Sequence, residues 1–189
     1  MAEPSPLPEP ASLEVLIYPA PVLRKVARAV QRIDAQLAAI AERMIELMVE
    51  HEGVGLAGPQ VGLPLRLFVM SPSGEADDAR VVINPEIIAR GRSRDTLVEG
   101  CLSLPEIRGK IERPVTITWR YQDLEGTVHE ERLTGFPARV AQHEFDHLEG
   151  ILITDRMRPA ERRRAERQLL ELAARSRAGL ERETPASSG

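Results

Sequence analysis

One cysteine in 189 residues leaves no partner for an internal disulfide. That suits a reducing compartment, and a cytoplasmic location is expected. No apolar run approaches the ~20 residues a membrane span requires, so no membrane partner is expected. The opening MAEPSPLPEPAS has neither a basic flank nor an apolar stretch, which argues against a secretory signal there. Internal repeats are lacking. Histidine is scarce as well: His51, His129, His143 and His147 are the four.

What is present fits one globular domain. Hydrophobic residues make up 42% of the chain and charged ones 29%. Residues 1–12 and 181–189 are rich in small and polar residues and read as disordered tails around a domain over 13–180. The net charge of −4 is unevenly spread. From Arg156 to Arg182, nine arginines face four glutamates, a local balance of +5. That stretch reads as a solvated helix face or as a docking surface for something anionic. No DNA partner is expected.

The elements are mixed. DAQLAAIAERMIELMVEHEG has the apolar period of a helix, with Asp34 placed to cap it and Gly53 just past its end. LRLFVM and VVINP read as short buried strands. PVTITWRYQ and TVHEERLT flank the turn DLEG as a hairpin. Pro137 can open a helix running to about Gly150. After Pro159 a final helix places Ala165, Leu169, Leu172 and Ala173 on one side. Strands and helices do not alternate regularly. The expected class is α+β, one domain with mixed or antiparallel strands around a central helix, plus a C-terminal helix.

The central helix carries QHEFDHLEG, residues 142–150. His143 and His147 stand four residues apart on one helix face, so two imidazoles can share one ion. Glu144 is rotated by about 100° and can reach a water at the metal without ligating it. A third ligand is wanted. One protease pattern would place a histidine where this chain has Ile153. His51 and His129 read as surface residues. Glu166 and Glu171 could serve a metallopeptidase, but they lie in an arginine-dense helix whose charge opposes metal binding. Cys101, in VEGCLSLPE, is the better candidate, because its flanking Gly100 permits close backbone approach. A third stretch, GVGLAGPQVG at residues 53–62, holds four glycines. It lacks the Gly-Lys-Ser/Thr ending of a phosphate loop and carries Gln60.

Together GVGLAGPQ, EGCLS and QHEFDH, in this order, resemble the three motifs of the peptide deformylase family, over about Tyr18 to Arg177. One departure is Gly58, where that family usually has Ala. The resemblance implies a hydrolase that removes the formyl group from N-formylmethionyl peptides of nascent chains and releases formate. It implies that Cys101, His143 and His147 hold the metal. Glu144 would move the proton, and the Gln60 amide and the Leu102 N–H would stabilise the oxyanion. Val54, Gly55, Gly100 and Arg108 would contact substrate, with the methionine pocket continuing towards Val140. The ion implied is Fe²⁺, for which Zn²⁺, Ni²⁺ or Co²⁺ can substitute. A ribosome contact through the basic C-terminal helix is a further expectation. The other readings of these residues are an HExxH metallopeptidase and a non-catalytic metal-binding module.

Overall fold

The computed structural model describes residues 7–183, with side chains to residue 176. Its helices are α1 (Ala35–Glu50), α2 (Phe136–Leu148), α3 (Ile153–Arg156) and α4 (Pro159–Glu183). Its strands are β1 (Gly55–Ala57), β2 (Leu67–Met70), β3 (Arg80–Arg90), β4 (Arg94–Cys101), β5 (Leu104–Pro114), β6 (Thr116–Gln122) and β7 (Val128–Thr134). Five strands form an antiparallel sheet in the order β1-β2-β3-β6-β7, and β4 and β5 form a separate antiparallel ribbon. The α+β expectation holds. Every strand pair in the two sheets is antiparallel, which settles the choice between mixed and antiparallel.

The apolar run of β2 has a simple cause. Side chains alternate along a strand, and both faces of this one are covered. Leu67 and Val69 join the core under α1, with Ile40, Met44 and Met48. Phe68 and Met70 join the core under α2, with Trp119 and Ala141. A third core packs α3 and α4 on the ribbon, through Leu104, Ile107 and Ile111 against Ala165, Leu169 and Leu172. The central helix α2 therefore touches the sheet on one side and the ribbon on the other.

Local signals explain the element ends. The Asp34 carboxylate accepts the Leu37 N–H at 3.0 Å and caps α1. In the 123–126 turn, Asp123 Oδ1 accepts the N–H groups of Glu125 and Thr127, at 3.0 and 2.9 Å. Beyond α2 the chain reverses at Gly150, with φ +69, where an added Cβ would lie 2.7 Å from the Arg24 carbonyl oxygen. Gly150 thus serves this turn. Ile153, the position of the failed third histidine, is buried in the third core.

Two expectations shift. The tail foreseen through residue 12 is ordered from at least Leu7. Leu7 packs on the first core and its carbonyl accepts the Gln36 amide at 2.9 Å, while Pro10–Ser12 form a 3₁₀ turn. At the other end α4 runs to Glu183, past the boundary set at residue 181; residues 1–6 and 184–189 of the expected tails lie outside the described residues. The β4–β5 ribbon is not among the elements expected from the sequence.

Candidate metal centre

The three ligand candidates come from two elements. Cys101 ends β4, and His143 and His147 sit one turn apart on α2. Their ligand atoms all lie within 4.8 Å of one another. Cys101 Sγ stands 3.3 Å from His147 Nε2. A tetrahedron with metal–sulfur near 2.3 Å and metal–nitrogen near 2.0 Å has edges of about 3.3–3.5 Å, so that spacing suits a shared ion. A Cys/His₂ set leaves a fourth position, as catalytic sites require.

Behind the ligands lies a buried ionic network. His143 donates Nδ1–H to Glu99 Oε2 at 3.0 Å, which leaves its Nε2 for a metal. Glu99 is gripped by the Arg113 fork, Nε to Oε1 at 2.7 Å and Nη2 to Oε2 at 2.9 Å. Arg113 also reaches Asp146 at 2.8 Å, and Asp146 in turn is held by Arg156 at 2.6 Å. Arg139 adds a bond to Glu99 Oε1 at 2.6 Å. Burial works to raise the Glu99 pKa, but the hydrogen bonds of His143 and Arg113 outweigh it and hold this carboxyl well below the usual range. Burial also works to lower the His143 pKa. Cys101 and Glu99 overcome that and push it up to about 10 in the metal-free chain, so an arriving ion displaces a proton. Burial, then the charges of His143 and Arg113, press His147 well below its ordinary value, which keeps that imidazole neutral.

Glu144 is placed differently. It is 3% exposed, and its Oε2 has no hydrogen-bond partner among the described residues. Burial pushes its pKa up to about 7, against the pull of His143 and Arg113. An unpaired buried carboxylate is costly, and carboxyls tuned near 7 suit proton transfer. A Cβ on Gly55 would come within 2.3 Å of Glu144 Oε1. Glycine there is what makes room for the carboxylate.

The centre opens into a cleft of about 650 Å³. Val54, Gly55, Gly100, Leu102, Arg108 and Val140 are among the residues that line it. Arg108 is exposed and lies across Gly100, its Cγ 3.7 Å from where a Cβ would stand. Gly100 therefore has ordinary room on that side, and close approach there is not forced by the protein. Gln60 is 1% exposed. Its Oε1 accepts the Ala57 N–H at 2.8 Å, which turns Nε2 toward Cys101 Sγ at 3.6 Å and Ser103 Oγ at 3.2 Å. His51 is exposed, as expected of a surface residue; it also borders the cleft, and its Nδ1 bonds the Leu47 carbonyl at 2.9 Å. His129 pairs with Asp123 at 2.6 Å on the hairpin. Glu166 and Glu171 are exposed on α4, and Glu166 lies 3.4 Å from Arg162. Among the described residues, neither belongs to the group able to hold a metal.

Sequence reasoning missed the supporting residues Arg113, Arg139, Asp146 and Ser103. Glu99 stands in the quoted EGCLS motif with no role assigned to it there. Asp146 and Ser103 stand inside the quoted motifs, a signal that was available. Nothing marks Arg113 or Arg139 among 25 lysines and arginines.

Comparison with known proteins agrees with this geometry. The profile of the family described as "Polypeptide deformylase" matches residues 12–163. A peptide deformylase of Thermotoga neapolitana is 47% identical over 163 residues, covering 86% of this chain and 98% of that protein. The crystal structure of peptide deformylase from Thermotoga maritima superposes with a TM-score of 0.74 at 47% identity, covering 78% of this chain and 98% of that one. A peptide deformylase from Plasmodium falciparum gives a TM-score of 0.84 at 34% identity, over 93% of this chain and 100% of that one. With the family profile spanning most of its length, the chain belongs to the polypeptide deformylase family.

Proposed function

We propose that this protein hydrolyses the N-formyl group of formylmethionyl peptides at the start of nascent chains. The products are formate and a peptide with a free N-terminal amine. The observation that carries this reading is the buried Glu144 carboxylate, with an unpartnered oxygen, beside three convergent metal-ligand atoms at the cleft. In this reading Cys101, His143 and His147 hold the ion. When bound, the metal supplies Lewis acidity, polarising a carbonyl and lowering the pKa of water to near 7. Glu144 takes the proton of the attacking water and hands it to the leaving nitrogen. Gln60 Nε2 and the Leu102 N–H donate to the oxygen that gains charge, and one such donor is typically worth ~3 kcal/mol. Val54, Gly55 and Gly100 border the peptide, and Arg108 at the open rim meets its backbone or a carboxylate.

The working ion in this proposal is Fe²⁺. Affinity alone favours zinc. A thiolate ligand, however, donates charge and blunts Lewis acidity, so an ion that readily accepts a further ligand gains the advantage. The catalytic unit is a single domain that includes the C-terminal helix and, given the packing of Leu7, begins upstream of residue 13. The lone cysteine suits a cytoplasmic setting, and no described helix is long and apolar enough to cross a membrane.

The test is to load metal-free protein anaerobically with Fe²⁺, Zn²⁺, Ni²⁺ or Co²⁺ and follow formate release from formyl-Met-Ala. The iron form should turn over faster than the zinc form and lose activity in air as Cys101 oxidises, whereas nickel or cobalt should be steadier. Equal turnover by the zinc form would remove iron from the account.

A further inference from the structure

We propose that Arg139 is a positioning residue for the metal centre, fixing the Glu99 carboxylate and the helix that carries both histidines against the strand that carries the thiolate. The inference rests on the reading of Cys101, His143 and His147 as ligands. Arg139 and His143 stand four residues apart, so both face the same way from α2. They grip one carboxylate from that face: Arg139 Nη1 bonds Glu99 Oε1 at 2.6 Å, and His143 Nδ1 bonds Oε2 at 3.0 Å. Oε2 is thereby held toward the imidazole, and the imidazole plane is held with it.

The other guanidinium bonds leave the helix. Arg139 Nη1 also reaches the Ile111 carbonyl at 3.0 Å, on β5. Nη2 reaches the Asp95 carbonyl at 3.2 Å and pairs with the Asp95 carboxylate, on β4. Cys101 closes that same strand. A single planar group therefore ties α2 to both strands of the ribbon. In doing so it fixes the separation between the two histidines and the cysteine.

Arg139 is 5% exposed. Burying a guanidinium is costly unless every donor is used, and here Nη1 and Nη2 are both engaged. Arg113, from β5, already holds Glu99 through two bonds and also reaches Asp146 on α2; Arg139 adds a second tie nearer the start of the helix, to Asp95 and to the Ile111 carbonyl. A lysine would keep the charge and lose the fork.

The test uses metal-free full-length protein titrated with Co²⁺. The thiolate charge-transfer band reports affinity, and the ligand-field bands report geometry. Arg139→Met should weaken Co²⁺ binding by roughly 10-fold or more, the scale typical of lost outer-shell partners. Arg139→Lys should fall between Met and the wild type and shift the ligand-field bands. Asp95→Asn, which leaves the Glu99 contact in place, should have the smallest effect. Thermal unfolding of the same metal-free samples separates folding from positioning. A variant with a lower melting temperature but unchanged Co²⁺ affinity and spectrum shows a structural role only and overturns the proposal. Should Arg139→Met fail to fold, Arg139→Lys decides, and wild-type affinity and bands there also overturn it. Absence of a thiolate–Co²⁺ band in the wild type would strike the ligand reading itself, a separate failure.

Discussion

At the scale of residues, Glu144 is the most informative side chain. Glu144→Gln should keep the metal and lose about 10²–10⁴ in turnover, because it removes the proton carrier and no ligand. Retention of a tenth of the activity, with metal content measured on the same sample, would remove Glu144 from that role. The same change should alter stability in the metal-free protein. Burial holds the folded Glu144 pKa near 7, against 4.5 as its ordinary value. As pH rises through 4.5, the unfolded chain loses this proton while the folded chain keeps it. Fewer protons are then bound in the unfolded state, so stability falls between pH 4.5 and 7 and levels off above. A displacement of that size corresponds to roughly 3 kcal/mol at most. Denaturant unfolding at pH 5 and pH 8 should show Glu144→Gln gaining on the wild type at the higher pH. A difference independent of pH would mean that the carboxylate is not held protonated. Gly55→Ala belongs beside it. The new methyl would sit on Glu144, so turnover should drop while the three ligands stay in place; unchanged formate release would show that the carboxylate tolerates displacement.

At the scale of elements, legibility followed burial pattern. Helix α1 was readable because Leu37, Ile40, Ala41, Met44, Leu47 and Met48 fall on one face, and all are buried. The hairpin was readable from DLEG, and its register pairs Gln122 with Val128 beside that turn. The ribbon was not. Most of β4 is exposed, and its Leu97 and Val98 face solvent at the cleft, so no apolar alternation announces it. Its partner β5 did carry a signal, Ile107 and Ile111 alternating with Arg108, Lys110 and Glu112. The Arg113 and Arg139 bonds were illegible for a different reason, since pairing partners far apart in sequence leave no local trace. The first motif departs from the family's usual Ala at Gly58, and local packing gives a reason: a Cβ there would lie 2.8 Å from the Leu63 carbonyl oxygen and 2.9 Å from that of Leu65. Both obstacles are backbone. Gly58→Ala should therefore destabilise by about 1–3 kcal/mol, the usual cost of overpacking. Urea unfolding gives the answer, and a midpoint equal to the wild type would show that the 63–67 segment yields freely.

At the scale of the whole molecule, charge and cleft are separate features. The final helix buries Ala165, Leu169 and Leu172 and exposes Arg162, Arg163, Arg164 and Arg167. We expect this face to meet ribosomal RNA phosphate. Replacing Arg162, Arg163 and Arg164 with Ala should weaken ribosome binding and flatten its salt dependence. Formyl-Met-Ala turnover should stay the same, because none of the described residues of α4 lines the cleft. Equal affinity at low salt would return the helix to a solvated surface. The central claim concerns the other feature: one thiolate and two imidazoles, brought together from β4 and α2, form the metal centre that cleaves the formyl group. The most direct measurement is bound metal and formate released from formyl-Met-Ala, determined together for the wild type and Cys101→Ala. The account predicts near-stoichiometric metal and formate release for the wild type, and loss of both in the variant. Tight metal binding by Cys101→Ala, or a fully loaded wild type that releases no formate, would contradict it.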